Sequence, residues 1–463
     1  MMSLVEAAIA TGGAALNGNP RIEGVSTDTR TLASGELYVA LKGERFDGHD
    51  FVPAACAHGA AAVMVAADWQ VARGPAHPTL AVADTRIALG ALGAWWRGRH
   101  ALPLIGVTGS NGKTSVKEMI ASILRAQALA DGRDPDLAVL ATAGNLNNEI
   151  GLPLTLLRLR GTHRAAVIEM GMNRPGEIAA LTRLARPTVA VITNAQRAHL
   201  AGLGSLAEVA RAKGEIFEGL GEDGTAVINA DDPFCAYWRE CNPMRPVLTF
   251  GLDRPADVGG RCRLHALGSA LTLSTAQGNL DVALQVPGAH NVRNALAAAA
   301  AALAAGVALP VVGAGLAAFA GVRGRLQIRP TPEGALLIDD TYNANPDSVR
   351  AAVDVLAATP GRKVLVLGDM GEIGEQTGQF HDEVGGYAKS QGVDLLFGLG
   401  GQSELAVRNF GSGGRHFASV EALVAALRQE LGAGCAVLVK GSRFMRMERV
   451  ADALAGECLA AGH

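Results

Sequence analysis

The chain has 463 residues, 49% of them hydrophobic, enough for several cores; at about 150 residues per domain it predicts three domains. Its 41 basic residues against 44 acidic ones leave a net charge of −3, which argues against a dedicated nucleic-acid binder and against a polybasic membrane patch. Six cysteines (56, 235, 241, 262, 435 and 458) form no C-x-x-C pair and fit neither a zinc site nor a disulfide framework, so a reducing cytoplasm is the expected compartment.

Along the chain, the N-terminal stretch MMSLVEAAIATGG is apolar but lacks the basic n-region of a signal peptide. Residues 25–52 read as an edge strand with a polar turn carrying Ser26, Asp28 and Arg30. After a break near residue 101, short apolar runs alternate with longer helical stretches, the pattern of α/β folds with parallel sheets. The clear strands are predicted at 102–109, 164–171, 188–195, 224–231, 334–341, 362–369, 394–401 and 435–442. Nearly all run into a polar or glycine-containing turn. Ligands of open α/β sheets bind at the carboxyl ends of strands, so the chemistry is sought in those turns.

Strand 102–109 feeds a glycine-rich turn, Thr108, Gly109, Ser110, Asn111, Gly112, Lys113, Thr114 and Ser115, and a helix follows. Backbone N–H groups of such a turn face phosphate oxygens, and the helix N-terminus adds partial positive charge. Lys113 is placed to reach the β- and γ-phosphates, and the Thr114 hydroxyl to meet Mg²⁺. The spacing departs from G-x-x-x-x-G-K, because position 107 is Val107 and the glycine sits one place earlier, at Gly106.

Glu169 closes the next strand, where a carboxylate serves equally well as a Mg²⁺ ligand or as a solvated turn residue. Taken singly, His199 reads as a structural histidine and Lys213, on a predicted helix, as a surface lysine. Residues 296–322 carry no charge over a length that could span a bilayer. Their apolarity comes largely from Ala and Gly, and Pro310 interrupts them, which predicts two short buried helices instead. A second break near residue 323 divides the chain into domains at 1–101, 102–322 and 323–463.

The string T-G-S-N-G-K-T resembles the phosphate loop of Mur ligases and folylpolyglutamate synthetases, and further strings extend the resemblance to Mur ligases over nearly the whole chain, in order. Glu169 stands in E-M-G, His199 follows T-N, and Lys213 stands in A-K-x-E-I-F. The resemblance implies that the glutamate and histidine bind magnesium. It also implies that Lys213 is carbamylated by carbon dioxide and that the resulting anion helps position a metal. Lys113, Lys213 and His199 are then the catalytic set, and Thr114, Glu169, His199 and carbamylated Lys213 the metal set. Asn291, in GAHNVRNALA, would contact the nucleotide, while Asn294 reads as a helix-surface or packing residue. Arg325, in G-R-L, would reach the ATP phosphates. Either Asp339 or Asp340 would meet the ribose, one inserted residue leaving the choice open. Ser26, Asp28 and Arg30 fall where the family touches a uridine diphosphate moiety.

Four strings resemble the branch of the family that adds D-alanyl-D-alanine. Two of them, LGDMGEIG from Leu367 and KGSRFMRME from Lys440, lie at strand ends of the third domain, where the incoming amine would bind; the others are DDTYNANPDS, with Tyr342, Asn343 and Asn345, and the loop 142–153, with Asn145, Asn147 and Asn148. Both trios are assigned to substrate, and the D-N-P-R string of the diaminopimelate-adding branch is absent. The implied fold is α/β in three domains: a small α/β uridine-nucleotide domain, a central P-loop-type, mostly parallel sheet domain, and a C-terminal Rossmann-like α/β domain that binds the incoming dipeptide and closes over ATP. The implied reaction joins D-Ala-D-Ala to UDP-N-acetylmuramoyl-tripeptide through an acyl phosphate, with ATP and Mg²⁺, in cytoplasmic peptidoglycan precursor synthesis. A monomer is expected, with small-molecule substrates, no nucleic acid and no membrane insertion. The alternatives are a related ligase adding diaminopimelate or lysine, and a non-catalytic nucleotide-binding module.

Overall fold

A computed structural model describes residues 1–73 and 77–456. Cys458 lies outside the described residues, and the other five cysteines are free. All eight strands expected from apolar runs are present. Four of them lie in a central, all-parallel sheet of six, in the order Val247–Phe250, Thr225–Asn229, Val189–Ile192, Leu104–Thr108, Ala165–Glu169, Val139–Ala141. The three strands at its middle are buried at every residue. Strands covered on both faces read as continuous apolar runs, and for that reason they are visible in the sequence. The chain passes from Ala165–Glu169 over the Leu104–Thr108 strand to Val189–Ile192, so the strand order reverses there. A crevice opens at the carboxyl end of such a reversal.

The alanine-rich segment folds as the two buried helices expected, Ala289–Ala304 and Leu309–Ala318, the second with Pro310 in its first turn. They pack on the helix Lys113–Ala130 that follows the glycine-rich turn. At Gly315 a Cβ would lie 2.3 Å from the Cα of Ile123, so the small residues serve close helix packing. Among the described residues no helix is long and apolar enough to cross a membrane. An antiparallel meander, Gly259–His265, Gly268–Thr275 and Gly278–Leu284, adds Leu271, Leu273, Val282 and Leu284 to the same core.

The C-terminal sheet has the order Gln327–Pro330, Leu336–Asp340, Cys435–Lys440, Arg362–Gly368, Leu395–Leu399, Gly414–Phe417, parallel except for its first strand. Each face carries a core of its own. The N-terminal sheet has five strands in the order Ala14–Leu16, Thr79–Val82, Ala62–Ala66, Glu36–Val39, Gly24–Ser26. Its core runs without interruption through the helix Thr85–Gly98 into that of the central sheet. The C-terminal cores are separate; among the described residues, Leu200 of the central region packs against one of them. Docking of the C-terminal part is therefore largely a matter of polar contacts.

Candidate active site

A cleft of about 1180 Å³ lies at the carboxyl end of the Leu104–Thr108 strand, walled on its far side by the C-terminal sheet. The glycine-rich turn forms its floor. Gly109 and Gly112 have φ of 147° and 82°, and a Cβ on them would meet Thr193 Oγ1 at 1.8 Å and Asn294 Oδ1 at 2.3 Å. Only glycine suits both the conformation and the space. The turn is braced from the next strand: Ser110 N donates to Asn194 O at 3.0 Å, Asn111 N to Asn194 Oδ1 at 2.9 Å, and Thr193 Oγ1 to Asn111 O at 2.6 Å. The Lys113 ammonium donates to Gly109 O at 2.7 Å and Ser110 O at 3.2 Å. Burial, with Arg325 nearby, lowers its pKa. Thr108 is turned inward, donating to Met170 O at 2.9 Å, and does not face the cleft.

A relay of hydrogen bonds crosses the floor. Arg325 Nη2 donates to Thr114 Oγ1 at 2.9 Å, Thr114 donates to Glu169 Oε2 at 2.9 Å, and Asn147 Nδ2 donates to Glu169 Oε1 at 2.8 Å. The Arg325 guanidinium stacks over the Tyr342 ring, 4.2 Å from its centre. Glu169 is 3% exposed, so it is a buried carboxylate and not a solvated turn residue.

Lys213 overturns its single-residue reading as a surface lysine. It lies on the helix Leu206–Gly214, which Ser205 caps, and it is fully buried. Its Nζ finds no hydrogen-bond partner among the described residues. Burial first, and then the neighbouring Lys113, push its pKa well below the lysine range. His199 sits at a positive φ of 57°, and its Nδ1 is 3.1 Å from Glu372 Oε2 of the C-terminal wall. Burial lowers the pKa of His199, and the hydrogen bond from His199 lowers that of Glu372. Among the described residues no group of three or more His, Cys, Asp or Glu is arranged to hold a metal.

The other expected residues divide by position. Asn291 and Asn294 line the cleft; Asn291 donates to Pro287 O at 2.9 Å, Asn294 donates to Asn291 Oδ1 at 3.1 Å, and Asn294 packs on Gly112. The two aspartates at the end of Leu336–Asp340 separate. Asp339 turns away, accepting from Arg329 Nη1 at 3.0 Å and Thr341 Oγ1 at 2.7 Å. Asp340 faces the cleft, 2.6 Å from Lys440 Nζ; burial raises its pKa and Lys440 opposes the rise. Tyr342, Asn343, Asn145, Asn147 and Asn148 line the cleft. Asn345 lines it too, capping the helix Pro346–Ala357 through its Oδ1 while its Nδ2 donates to Asn111 Oδ1 at 2.8 Å.

Ser26, Asp28 and Arg30 stand apart from this cleft, at the end of the edge strand Gly24–Ser26. There Ser26 Oγ donates to Asp28 O at 3.1 Å, and Arg30 Nη2 to Asp28 Oδ2 at 2.6 Å, holding the aspartate down at a pKa of about 2. Lining residues that sequence reading missed include Arg197, His290, Glu372 and Lys440. Glu372 follows the predicted strand 362–369 and Lys440 ends the apolar run of 435–442, so position at a strand end was the available signal.

Comparison with known proteins agrees along the chain. Family profiles match at residues 21–93 ("Mur ligase family, catalytic domain"), 107–302 ("Mur ligase middle domain") and 324–443 ("Mur ligase, glutamate ligase domain"). The UDP-N-acetylmuramoyl-tripeptide--D-alanyl-D-alanine ligase of Escherichia coli (strain K12) is 45% identical over 94% of both chains. A crystal structure of MurF from Acinetobacter baumannii superposes with a TM-score of 0.90, at 36% identity, over 98% of this chain and 99% of that one. MurF from Thermotoga maritima, solved in complex with ADP, gives 0.80 at 27% identity, over 94% and 97%.

Proposed function

This chain belongs to the Mur ligase family, and from that premise we propose that it joins D-alanyl-D-alanine to UDP-N-acetylmuramoyl-tripeptide at the expense of ATP. The observation that carries the chemistry is the meeting of Lys113, Arg325, Glu169 and His199 in a cleft between two domains, with Lys213 buried beside Lys113 and Glu169. The choice of dipeptide rests on the 45% identity with the Escherichia coli enzyme. The proposed division is 1–101 for the uridine-nucleotide substrate, 102–322 for ATP, and 323–463 for the incoming dipeptide. The proposed setting is the cytoplasm, and the proposed state a monomer.

In this reading the backbone of residues 108–115 cradles the triphosphate, with Lys113 and Arg325 supplying positive charge where phosphoryl transfer develops negative charge. Asn291 contacts the nucleotide, and Asp340, which lines the cleft while Asp339 does not, meets the ribose. Thr114, Glu169, His199 and Lys213 are the residues that would hold magnesium. One carboxylate, one imidazole and one hydroxyl are a thin donor set, but Lys213 completes it. Burial without a partner favours the neutral amine, the form that can attack carbon dioxide. The N–C bond forms, one proton leaves, and a carbamate anion replaces the amine. Bound magnesium would neutralise phosphate charge. The tripeptide carboxylate, held with help from Asn145, Asn147 and Asn148 and tethered by its nucleotide at Ser26, Asp28 and Arg30, attacks the γ-phosphate, giving an acyl phosphate and ADP. The dipeptide amine, near Tyr342, Asn343 and Asn345, then attacks the acyl carbon and phosphate leaves. Holding both reactants makes the second step effectively intramolecular, and domain closure keeps water from the acyl phosphate.

The test is the product mass after incubation with ATP, UDP-N-acetylmuramoyl-tripeptide and D-Ala-D-Ala. The expected result is a UDP-linked pentapeptide with one ADP and one phosphate per bond. Nucleotide binding without any ligated product, or ligation of diaminopimelate or lysine in place of the dipeptide, would overturn it.

A further inference from the structure

The loop from Thr193 to His199 carries a side chain that the reaction scheme does not use. Arg197 reaches across to the C-terminal domain, where it meets two acids on two helices. Its Nε and Nη2 donate to Asp347 Oδ1 at 3.0 and 2.6 Å, and its backbone N donates to Asp347 Oδ2 at 2.9 Å. Its Nη1 and Nη2 donate to Glu383 Oε2 and Oε1 at 2.9 and 3.1 Å. The guanidinium lies over the Phe380 ring, 5.2 Å from its centre. Asp347 is in the first turn of Pro346–Ala357, Glu383 is in the helix Thr377–Ser390, and Arg350 Nη1 also donates to Glu383, at 3.0 Å. The side chains of Arg197 and Asp347 are only 25% and 24% exposed, so this pair is not a solvated surface bridge. A guanidinium forked onto two carboxylates fixes direction as well as distance.

Three features give the contact a consequence. His199 lies two residues beyond Arg197 at a backbone conformation that a non-glycine residue adopts only when its surroundings impose it. On the other side of His199, Ala201 N donates to Glu372 O, again of the C-terminal domain. The C-terminal cores are separate from the core shared by the other two domains, so little apolar contact competes with these polar ties. We infer that Arg197 is a positioning residue: it fastens the loop bearing His199 to the C-terminal domain, so that His199 takes its place only when that domain is docked. Closure and completion of the site are thereby one event, which bars the acyl phosphate from forming in an open cleft. The inference rests on the ligase reading above.

The test uses the full chain with Arg197→Ala, Arg197→Lys, Asp347→Asn and the Arg197→Ala/Asp347→Asn double variant, each assayed for kcat and KM toward the dipeptide at low and high NaCl. Arg197→Ala should lower kcat/KM about tenfold, within the roughly 5–150-fold range of couplings between sites, chiefly through KM for the dipeptide. Its activity should be less sensitive to salt than that of the wild type, because the screened ion pairs are gone. The double variant should be no worse than the poorer single one, and Arg197→Lys should recover part of the loss. If Arg197→Ala does not fold, Asp347→Asn cuts the same tie from the opposite domain. Wild-type kcat/KM in both single variants, additive losses in the double variant, or an unaltered salt response would each overturn the inference. Failure of the wild type itself to ligate the dipeptide would instead count against the ligase reading.

Discussion

Two of the lysines buried in this molecule, Lys440 lining the cleft and Lys213 beside Lys113 and Glu169, are handled in opposite ways. Lys440, at the end of Cys435–Lys440 in the C-terminal wall, is 2% exposed; its ammonium lies 2.6 Å from Asp340 Oδ2 and donates to Asn343 O at 2.9 Å. Lys213, on the helix Leu206–Gly214, is 0% exposed and has no hydrogen-bond partner among the described residues. Burial disfavours charge unless a partner compensates it. The paired lysine is therefore held as an ion pair, whereas burial of the unpaired one disfavours its charged form, as the proposed carbamate requires. Sequence type and depth are the same in the two cases, and only the neighbours differ.

Four perturbations test that contrast, beginning with the largest effect. Lys113→Ala removes the cation at the phosphate turn and should lower ADP release by at least about a thousandfold. Normal turnover in that variant would refute the phosphate-loop assignment and leave the comparison without a reaction to serve. Lys213→Ala should lose about a hundredfold in ligation rate, an expectation scaled to the loss of a positioned charged group, and short carboxylic acids should partly restore it. The same acids should do nothing for Lys440→Ala. Full activity of Lys213→Ala without added acid would remove the carbamate proposal.

The third perturbation concerns stability. Lys440→Met strands a buried carboxylate and should cost about 3 kcal/mol, read as a shift of the urea midpoint. Lys213→Met removes an unsatisfied buried amine and should change stability by less than about 1 kcal/mol, or raise it. Equal losses in the two variants would erase the distinction between the lysines. The fourth extends it to His290, whose pKa is lowered to about 4 by burial first, then by Lys440 and Arg293. Between about pH 6.5 and 4 the unfolded chain binds the proton more readily than the folded one, so this contribution to stability is present above that window and lost as pH falls through it. Between pH 7 and 4.5, His290→Gln should therefore lose roughly 2 kcal/mol less stability than the wild type. Parallel pH curves for the two proteins would show that His290 is not the group responsible.

Much of the framework was legible because its signals are local. The eight strands announced themselves as apolar runs, since central parallel strands are covered on both faces. The glycine-rich turn was legible because only glycine can occupy Gly109 and Gly112 there. The meander of 259–284 went unread although its inward Leu271, Leu273, Val282 and Leu284 follow the alternation of a half-buried strand. The edge strands Val139–Ala141 and Gly414–Phe417 are three and four residues long, too short to carry a period. At the site, Arg197 had no signal of its own. Its partners Asp347 and Glu383 lie 150 and 186 residues downstream, and nothing local marks an arginine that will find them.

The sequence by itself determined the alternation of strands and helices, the phosphate turn and the resemblance that selects a family, because each depends on neighbours within a few residues. Tertiary structure decided which of Asp339 and Asp340 faces the cleft, that Lys213 is buried and unpaired while Lys440 is paired, and that the loop of His199 is tied to another domain. Those outcomes turn on desolvation and on the distance between charges, and both quantities exist only once residues far apart in the chain are brought together.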